Sequence, residues 1–488
     1  MAILTIMLKN ILISSLSFFL CFCSKQQSNG TSSNNTIDST KLPVETGLLA
    51  SAYLTNADQS ALLQKQSTII YSGTINNTFP TIEVDSTTAY QHVEGFGFTL
   101  TEGSAYLINQ MSETAKSTLL NELFGNQENC IGVSYLRISI GASDLSNKVY
   151  SYDDLAAGNT DTLLNQFSLS QDSINLIPLI KKIIAINPLL KIMATPWSPP
   201  IWMKDNNSSI GGKLLTKYYP VYAQYFVKYI QLMNSMGIPI SAITIQNEPE
   251  HGGNNPSMLM SASEQANFIK NNLGPIFQKN NIQTKIVLYD HNCDHPEYPI
   301  SILNDAEAKK YIDGSAFHLY NGDVSALSTV YNAHNDKSIY FTEQWTGKNG
   351  TFNGDLQWHV KNVIIGTMRN YSKVALEWNL AGDAAYSYHT QGGCTECKGA
   401  LTITASSVTR NVAYYIIAHA SKFIPAGSIR INSNNVGDLY SVAFLTPAGK
   451  KAVIVLNNGS KIESFNLKSN NKWFKSELNA GAVATYMY

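Results

Sequence analysis

From Glu94 onward the chain repeats one alternation eight times: a short apolar run rich in β-branched residues, then a stretch of mostly helical spacing. The runs lie at 95–100, 133–140, 190–195, 240–245, 284–289, 315–320, 338–342 and 373–380, and helices are expected over 112–124, 173–186, 219–236 and 263–279. Strands that alternate with helices form parallel βαβ units, because a crossover long enough to hold a helix is what brings the next strand back parallel. Eight such units suit a closed α/β barrel, a (β/α)8 TIM barrel, and this pattern constrains the fold more than any other feature of the chain. An open doubly wound sheet is the alternative. Against it, Gly95-Phe96-Gly97 lacks the third glycine and the helix start of a dinucleotide-binding turn.

The flanking regions read differently. Residues 44–93 hold short extended pieces, such as 68–71 and 81–84, with polar turns between them. From 408 a helix (411–422) leads into strands at 428–431, 439–445, 452–456, 462–466 and 482–487. Pro447-Ala448-Gly449 and Asn457-Asn458-Gly459 are hairpin signals. A small β-sandwich built from both chain ends is expected beside a barrel that spans 94–407, with 408–488 giving the last barrel helix and the C-terminal part of the sandwich.

The first 23 residues read as an export signal: Lys9, then an apolar run over 11–23 too short to span a bilayer comfortably. The run ends Cys21-Phe22-Cys23-Ser24-Lys25 and passes into a polar tether over 24–43. This is similar to a bacterial lipoprotein signal, with Cys23 or Cys21 lipidated, although Phe22 stands where such signals carry a small residue. The expected location is the cell envelope or the exterior, with membrane contact only through a lipid at Cys23. Charged residues make up 14% of the chain and the formal net charge is −1, which gives no electrostatic basis for a nucleic-acid partner. Cys394-Thr395-Glu396-Cys397 fits a small disulfide loop in an oxidising compartment, with a bonded and an unbonded pair equally open. A zinc site would need a second such pair, and the sequence has none.

In a parallel barrel the chemistry sits at the C-terminal ends of the strands. Those ends carry Thr99 and Thr101; Arg137 and Asp144; Trp197; Asn247 and Glu248; Asp290 and His291; His318 and Tyr320; Glu343; and Trp378 with Asn379. Singly, each has a bland reading as a salt bridge, a packed indole or a satisfied histidine. Together they supply carboxylates, indoles, amides and a guanidinium on one face, the mix a carbohydrate site needs. The 26 Tyr and 18 Phe agree with sugar stacking, though core packing explains them as well. Glu248 closes the fourth run and Glu343 the seventh, so the two carboxylates would face each other across the mouth and act on a glycosidic bond. Carboxyls about 5–5.5 Å apart give retention, and roughly 6.5–9.5 Å leaves room for an inverting water. The cluster His291, Cys293, Asp294 and His295 reads as a rim loop fixed by Asp290 and not as a metal site.

Glu94-Gly95-Phe96-Gly97, Leu136-Arg137-Ile138-Ser139, Pro196-Trp197-Ser198-Pro199-Pro200-Ile201-Trp202-Met203-Lys204, Asn247-Glu248-Pro249, Phe341-Thr342-Glu343 and Glu377-Trp378-Asn379-Leu380 together resemble glycoside hydrolase family 30. That family includes glucosylceramidases and bacterial β-1,6-glucanases, and the resemblance runs from about Ser51 to Tyr488. It implies a (β/α)8 barrel with a β-sandwich and hydrolysis of β-glucosidic bonds with retention, with Glu248 as acid/base and Glu343 as nucleophile. Arg137, Asp144, Trp197, Asn247, His318, Tyr320 and Trp378 would hold the sugar or support the nucleophile. Asp144 is similar to the aspartate that takes the 4- and 6-hydroxyls of glucose. No cofactor and no metal are implied, and the substrate would be a β-glucan, an oligosaccharide or a glucosylated lipid. Phe98 departs from the family pattern, where many relatives carry a second glycine. The rival readings are a β-xylosidase or other exo-β-glycosidase of the same family and, in another class, a non-catalytic glycan-binding barrel. The presence of both Glu248 and Glu343 argues against the last.

Overall fold

Each of the eight apolar runs forms a strand: β1 Gly95–Thr99, β2 Tyr135–Ile140, β3 Lys191–Pro196, β4 Ala242–Thr244, β5 Lys285–Cys293, β6 Gly314–Gly322, β7 Ser338–Glu343 and β8 Ser372–Glu377. The structure, a computed structural model, describes residues 49–488 except 406. The expected signal over 1–23, the tether over 24–43 and the lipidation positions Cys21 and Cys23 lie outside the described residues. Among the described residues the eight strands pair in parallel, in chain order, and β8 closes on β1. The expected barrel is therefore the observed one.

The runs read as continuously apolar because both faces of each strand are covered. One residue or more from each of β2 to β8 packs into a common cluster: Tyr135, Met193, Ala242, Val287, Ala316, Tyr340, Val374 and Leu376. Strand β1 contributes glycine instead. A Cβ on Gly97 would stand 1.9 Å from the Tyr135 carbonyl oxygen, so β1 can lie against β2 only with glycine there. At the other end of the barrel, Glu94 pairs with Lys191 at 3.1 Å and Lys285 at 2.8 Å.

The reading above places no helix directly after β1. Glu102–Asn109 follows β1 directly, started by Thr101, whose side chain accepts from the Ser104 amide as an N-cap. Thr101, a strand-end candidate, is thus a helix cap. The helices expected over 112–124, 173–186 and 219–236 appear as Glu113–Phe124, Leu176–Ile186 and Tyr219–Ser235.

Besides a two-stranded and a three-stranded sheet, the described residues form one ten-stranded sheet drawn from both chain ends. Leu49–Thr55 pairs with Val483–Met487, and Thr81–His92 lies between Ile429–Ser433 and Glu463–Ser469. A bridge between Ser72 and Trp473 links opposite margins of the sheet, which encloses its own core of Tyr71, Ile82, Val453, Phe465, Phe474 and Tyr486 among others. The reading above places no strand over Lys472–Leu478, which pairs with Glu463–Ser469. The turn between them is Asn470-Asn471, both left-handed (φ 51° and 59°), a two-residue hairpin whose twist suits the flanking strands. Barrel and sheet are pinned together by His419 on the helix Val412–Ser421. Its ring nitrogens lie 2.9 Å from Thr485 Oγ1 and 2.8 Å from Thr55 Oγ1, and burial holds the imidazole to about 3, hence neutral.

Candidate active site

The strand ends converge on Arg137. Its side chain is fully buried on β2, and four of its five N–H groups meet named acceptors. Nη1 donates to Glu343 Oε2 at 2.5 Å, and Nη2 donates to Asn247 Oδ1 at 2.7 Å and Asp290 Oδ2 at 2.8 Å. Nε donates to Thr195 Oγ1 at 3.3 Å, and the guanidinium lies 4.9 Å from the Trp197 ring. One planar, permanently charged fork therefore ties the ends of β3, β4, β5 and β7 together, a job the single point charge of lysine cannot do.

Asp290 and His318 form the second layer. Asp290 was read above as fixing a rim loop; the structure puts it at the centre instead. It is fully buried and accepts from Arg137, from Thr244 Oγ1 at 2.8 Å and from Thr342 Oγ1 at 2.6 Å. Burial alone would raise its carboxyl, but Arg137, His318 and Thr342 outweigh burial and hold it well below the usual range. His318 bridges outward: Nε2 lies 3.2 Å from Asp290 Oδ1 and Nδ1 lies 3.2 Å from Glu248 Oε1. Burial works against its charge, yet the Glu343 carboxylate and the contacts to Asp290 and Glu248 raise it to about 9. At neutral pH it is an imidazolium.

Glu248 and Glu343 face each other from β4 and β7, each with a carboxylate oxygen within 4.8 Å of the other's. Tyr320 donates its hydroxyl to Glu343 Oε1 at 3.0 Å, although the residue as a whole is 38% exposed. Glu248 adopts a left-handed backbone (φ 46°), and its amide donates to the Asp290 carbonyl at 3.0 Å. A non-glycine residue there costs about 1–3 kcal/mol, and the cost is tolerated where the surroundings fix the geometry. Two cations face three carboxylates, which sets the two glutamates in competition for a proton. Burial is the largest influence on both glutamates. Glu343 is held above the usual range, with Glu248 and Asp290 repelling its charge against the pull of His318 and Arg137. Glu248 is buried as well, but His318 draws it below the usual range. At this separation the proton belongs to the pair.

A cavity of about 290 Å³ opens over the pair, lined by Asp144, Trp197, Asn247, Glu248, Tyr320, Glu343 and Trp378 among others. Trp197 and Trp378 pack with ring centroids 5.5 Å apart. Asp144 sits in the wall, where burial and the charges of Glu343 and Glu248 raise it to about 7. The structure thus brings all the candidate residues named for catalysis or sugar binding to one site, with Arg137 and His318 beneath the cavity. It adds residues the sequence reading did not place at the site: His251, Asn254, Asn292 and Trp345, together with Cys394 and Cys397, which were read only as a disulfide loop. Cys394 and Cys397 are disulfide-bonded. The stretch 291–295 divides: His291 and Asn292 line the cavity, whereas the His295 ring pairs with Glu250 at 2.9 Å and the Cys293 thiol with the His318 carbonyl at 3.2 Å.

Residues 93–424 match the glycosyl hydrolase family 30 TIM-barrel domain, and residues 427–486 match the family 30 β-sandwich domain. The chain belongs to glycosyl hydrolase family 30. Among its relatives, an endo-1,6-β-D-glucanase of Aspergillus fumigatus is 34% identical over 80% of this chain and 84% of its own length. The lysosomal acid glucosylceramidase of Mus musculus is 26% identical over 82% of this chain and 81% of its own. A solved endo-β1,6-glucanase superposes with a TM-score of 0.84 at 32% identity, covering 90% of this chain and 99% of that one. The barrel and sandwich described above are the two domains of this family, and the chain is a glycoside hydrolase.

Proposed function

We propose that the protein hydrolyses β-glucosidic bonds with retention, with Glu343 as nucleophile and Glu248 as acid/base, and that its substrate is a β-glucan or derived oligosaccharide. The observation that carries the reading is the pair itself: carboxylate oxygens within 4.8 Å go with the short separation of retaining enzymes and not with the roughly 6.5–9.5 Å of inverting ones. In the first step Glu343 attacks the anomeric carbon as Glu248 gives a proton to the departing oxygen. In the second, Glu248 takes a proton from water, and that water displaces Glu343 from the sugar.

For the first step the proton of the pair has to reside on Glu248. Two differences favour that arrangement once a sugar is bound. The donors on Glu343 are a permanent cation at 2.5 Å and a phenol at 3.0 Å, whereas Glu248 has a titratable imidazole and a long 3.5 Å contact from Asn254. A leaving-group oxygen against Glu248 then gives its proton an acceptor. Arg137 holds the Asn247 amide by its oxygen, which leaves Nδ2 free to meet the sugar 2-hydroxyl, a contact that strengthens in the oxocarbenium-like transition state.

Around Glu248 the cavity wall is His251, Asn254, His291 and Asn292. His291 is buried and held to about 4, so it is neutral and offers one donor and one acceptor. A wall of amides and imidazoles suits a leaving group covered in hydroxyls better than an acyl chain. This supports a saccharide over a glucosylated lipid, and the similarity to endo-1,6-β-D-glucanases points to the β-1,6 linkage.

Replacing Glu343 by Ala should abolish turnover of an aryl β-glucoside, with partial rescue by azide as the α-glycosyl azide; full activity without azide would remove Glu343 from its role. Replacing Glu248 by Ala should harm poor leaving groups far more than activated aryl ones. A panel of β-1,6-glucan, gentiobiose, glucosylceramide, aryl glucoside and aryl xyloside, scored by product size, tests the substrate class, and preferential turnover of glucosylceramide or xyloside would overturn it. The apolar run over 11–23 and its terminal cysteines support export with a lipid at Cys23. Fatty-acid labelling of the full chain, retained in Cys21→Ser and lost in Cys23→Ser, is the expected result.

A further inference from the structure

The mechanism above leaves the disulfide unused, yet its sulfur-bearing residues line the same cavity as the two glutamates. Cys397 packs in a buried cluster with Leu145, Trp197 and Trp378, and Cys394 and Trp345 lie against it. The two cysteines belong to arms that grip different parts of the site. On one side the Cys394 amide donates to Asp144 Oδ2 at 3.4 Å, and the Thr390 amide donates to the Asp144 carbonyl at 2.9 Å. Gly393 lies so close that a Cβ there would stand 2.3 Å from the Asp144 carbonyl oxygen. On the other side Cys397–Lys398 pairs with Thr346–Gly347, three residues beyond Glu343, and Lys348 pairs with Glu396 at 2.9 Å. The covalent bond therefore closes a four-residue loop whose first end holds Asp144 and whose second end is paired with the segment that follows the nucleophile.

Asp144 needs such a support. It is 6% exposed, and among the described residues the donor from another residue that reaches its carboxyl is the long Cys394 contact. A buried carboxyl with so few donors keeps its direction only if its backbone is fixed. We propose that the Cys394–Cys397 disulfide is a clasp that positions Asp144 in the sugar pocket and thereby sets the preference for sugars carrying a hydroxymethyl group. The proposal rests on the glucoside reading above, in which Asp144 meets the 4- and 6-hydroxyls. Opening the clasp is ordinary exchange: a dithiol breaks the S–S bond, two cysteine thiols form, and the dithiol closes into its own cyclic disulfide.

The test compares full-length protein with the double variant Cys394→Ser and Cys397→Ser on an aryl β-glucoside and the matching β-xyloside, which lacks the hydroxymethyl group. The glucoside loses the contacts to both hydroxyls and the xyloside only that to the 4-hydroxyl, so KM should rise for both, by about tenfold or more beyond the xyloside's rise for the glucoside, with kcat within about threefold. Equal losses on both substrates, or none on either, overturn the proposal. Gly393→Ala keeps the disulfide and displaces the same arm, and it should give the same selective loss; an even loss would count against the clasp. Wild-type protein treated with dithiothreitol, with opening of this bond verified by mass spectrometry, should show the selective loss and recover it on reoxidation with glutathione disulfide. Failure of the glucoside reading shows separately, as wild-type protein that hydrolyses neither aryl substrate. In that event calorimetry with a gluco-configured iminosugar and its analogue without the hydroxymethyl group still reads the clasp: equal affinities in the oxidised protein overturn it, and a preference lost on reduction supports it.

Discussion

Replacing Asp290 by Asn should strip His318 of its charge. Asp290 receives four donors: Arg137 and Thr244 on Oδ2, His318 and Thr342 on Oδ1. Asparagine keeps the shape but has one acceptor oxygen and one amide that only donates. Arg137 cannot accept, so the oxygen stays on its side and the new amide faces His318 and Thr342. Thr342 can turn its hydroxyl fully to the Phe317 carbonyl, 3.3 Å away. His318 must then accept at Nε2 and keep its single proton on Nδ1, towards Glu248. The magnitude follows from the 3.2 Å contact between ring and carboxylate. At an effective dielectric of about 20, unit charges at that distance interact by about 5 kcal/mol, or roughly 4 pKa units. Removing it takes an imidazole now at about 9 to well below neutrality. Long-range proton–nitrogen correlation spectra of the histidine rings, recorded from pH 5 to 10 and assigned with His318→Gln, measure this directly. A midpoint within one unit of wild type would refute the reasoning. Stability carries the same signature. A histidine raised from 6.5 to about 9 contributes its full share below pH 6.5 and loses it as pH rises through 9, about 3 kcal/mol in all. The variant should lack that alkaline loss.

Arg137→Lys keeps a positive charge but cannot bridge Glu343, Asn247 and Asp290 at once, so kcat/KM should fall by about a hundredfold or more while circular dichroism stays native. Gly97→Ala drives a methyl against the Tyr135 carbonyl and should cost about 3 kcal/mol or more, read as a lowered thermal midpoint. Lys204, buried and lowered to about 7 chiefly by desolvation, gives its protons to Ser198 Oγ and the Ser257 carbonyl. Because the unfolded chain binds that proton more tightly, Lys204 adds stability as pH rises from 7 to about 10.5. Lys204→Met should remove the gain, seen in denaturant melts as a wild-type-minus-variant difference that grows with pH, since His318 pulls the other way in both.

The barrel was legible because each strand is apolar on both faces, and Glu248 and Glu343 were legible because a polar residue ending such a run has few structural reasons to be there. Asp290 also ended a run, but its partner Arg137 lies 153 positions away and Thr342 lies 52, and nothing local reveals that they meet. It was therefore assigned to the loop it begins. Thr101 shows the opposite error: a hydroxyl at a strand end proved to cap the short helix Glu102–Asn109, whose eight residues carry too little periodicity to stand out. Lys472–Leu478 was lost because Lys472, Lys475 and Glu477 break its apolar pattern, and its sheet partner supplies what its own sequence lacks. The cavity's disulfide wall was hidden for a further reason, that a loop outside the alternation folds back over the mouth.

Pairing of Leu49–Thr55 with Val483–Met487 has a consequence for handling the molecule. Ser51 stands opposite Met487, and Tyr488 exchanges backbone bonds with Lys451 on the next strand, so Leu49 and Tyr488 emerge at one corner of the sheet. Neither segment can be shortened as if it were a loose margin of the sheet. Val483–Met487 lies between two other strands, and Thr81–His92 between another two, so a deletion that reaches either strand removes the middle of a sheet and not its edge.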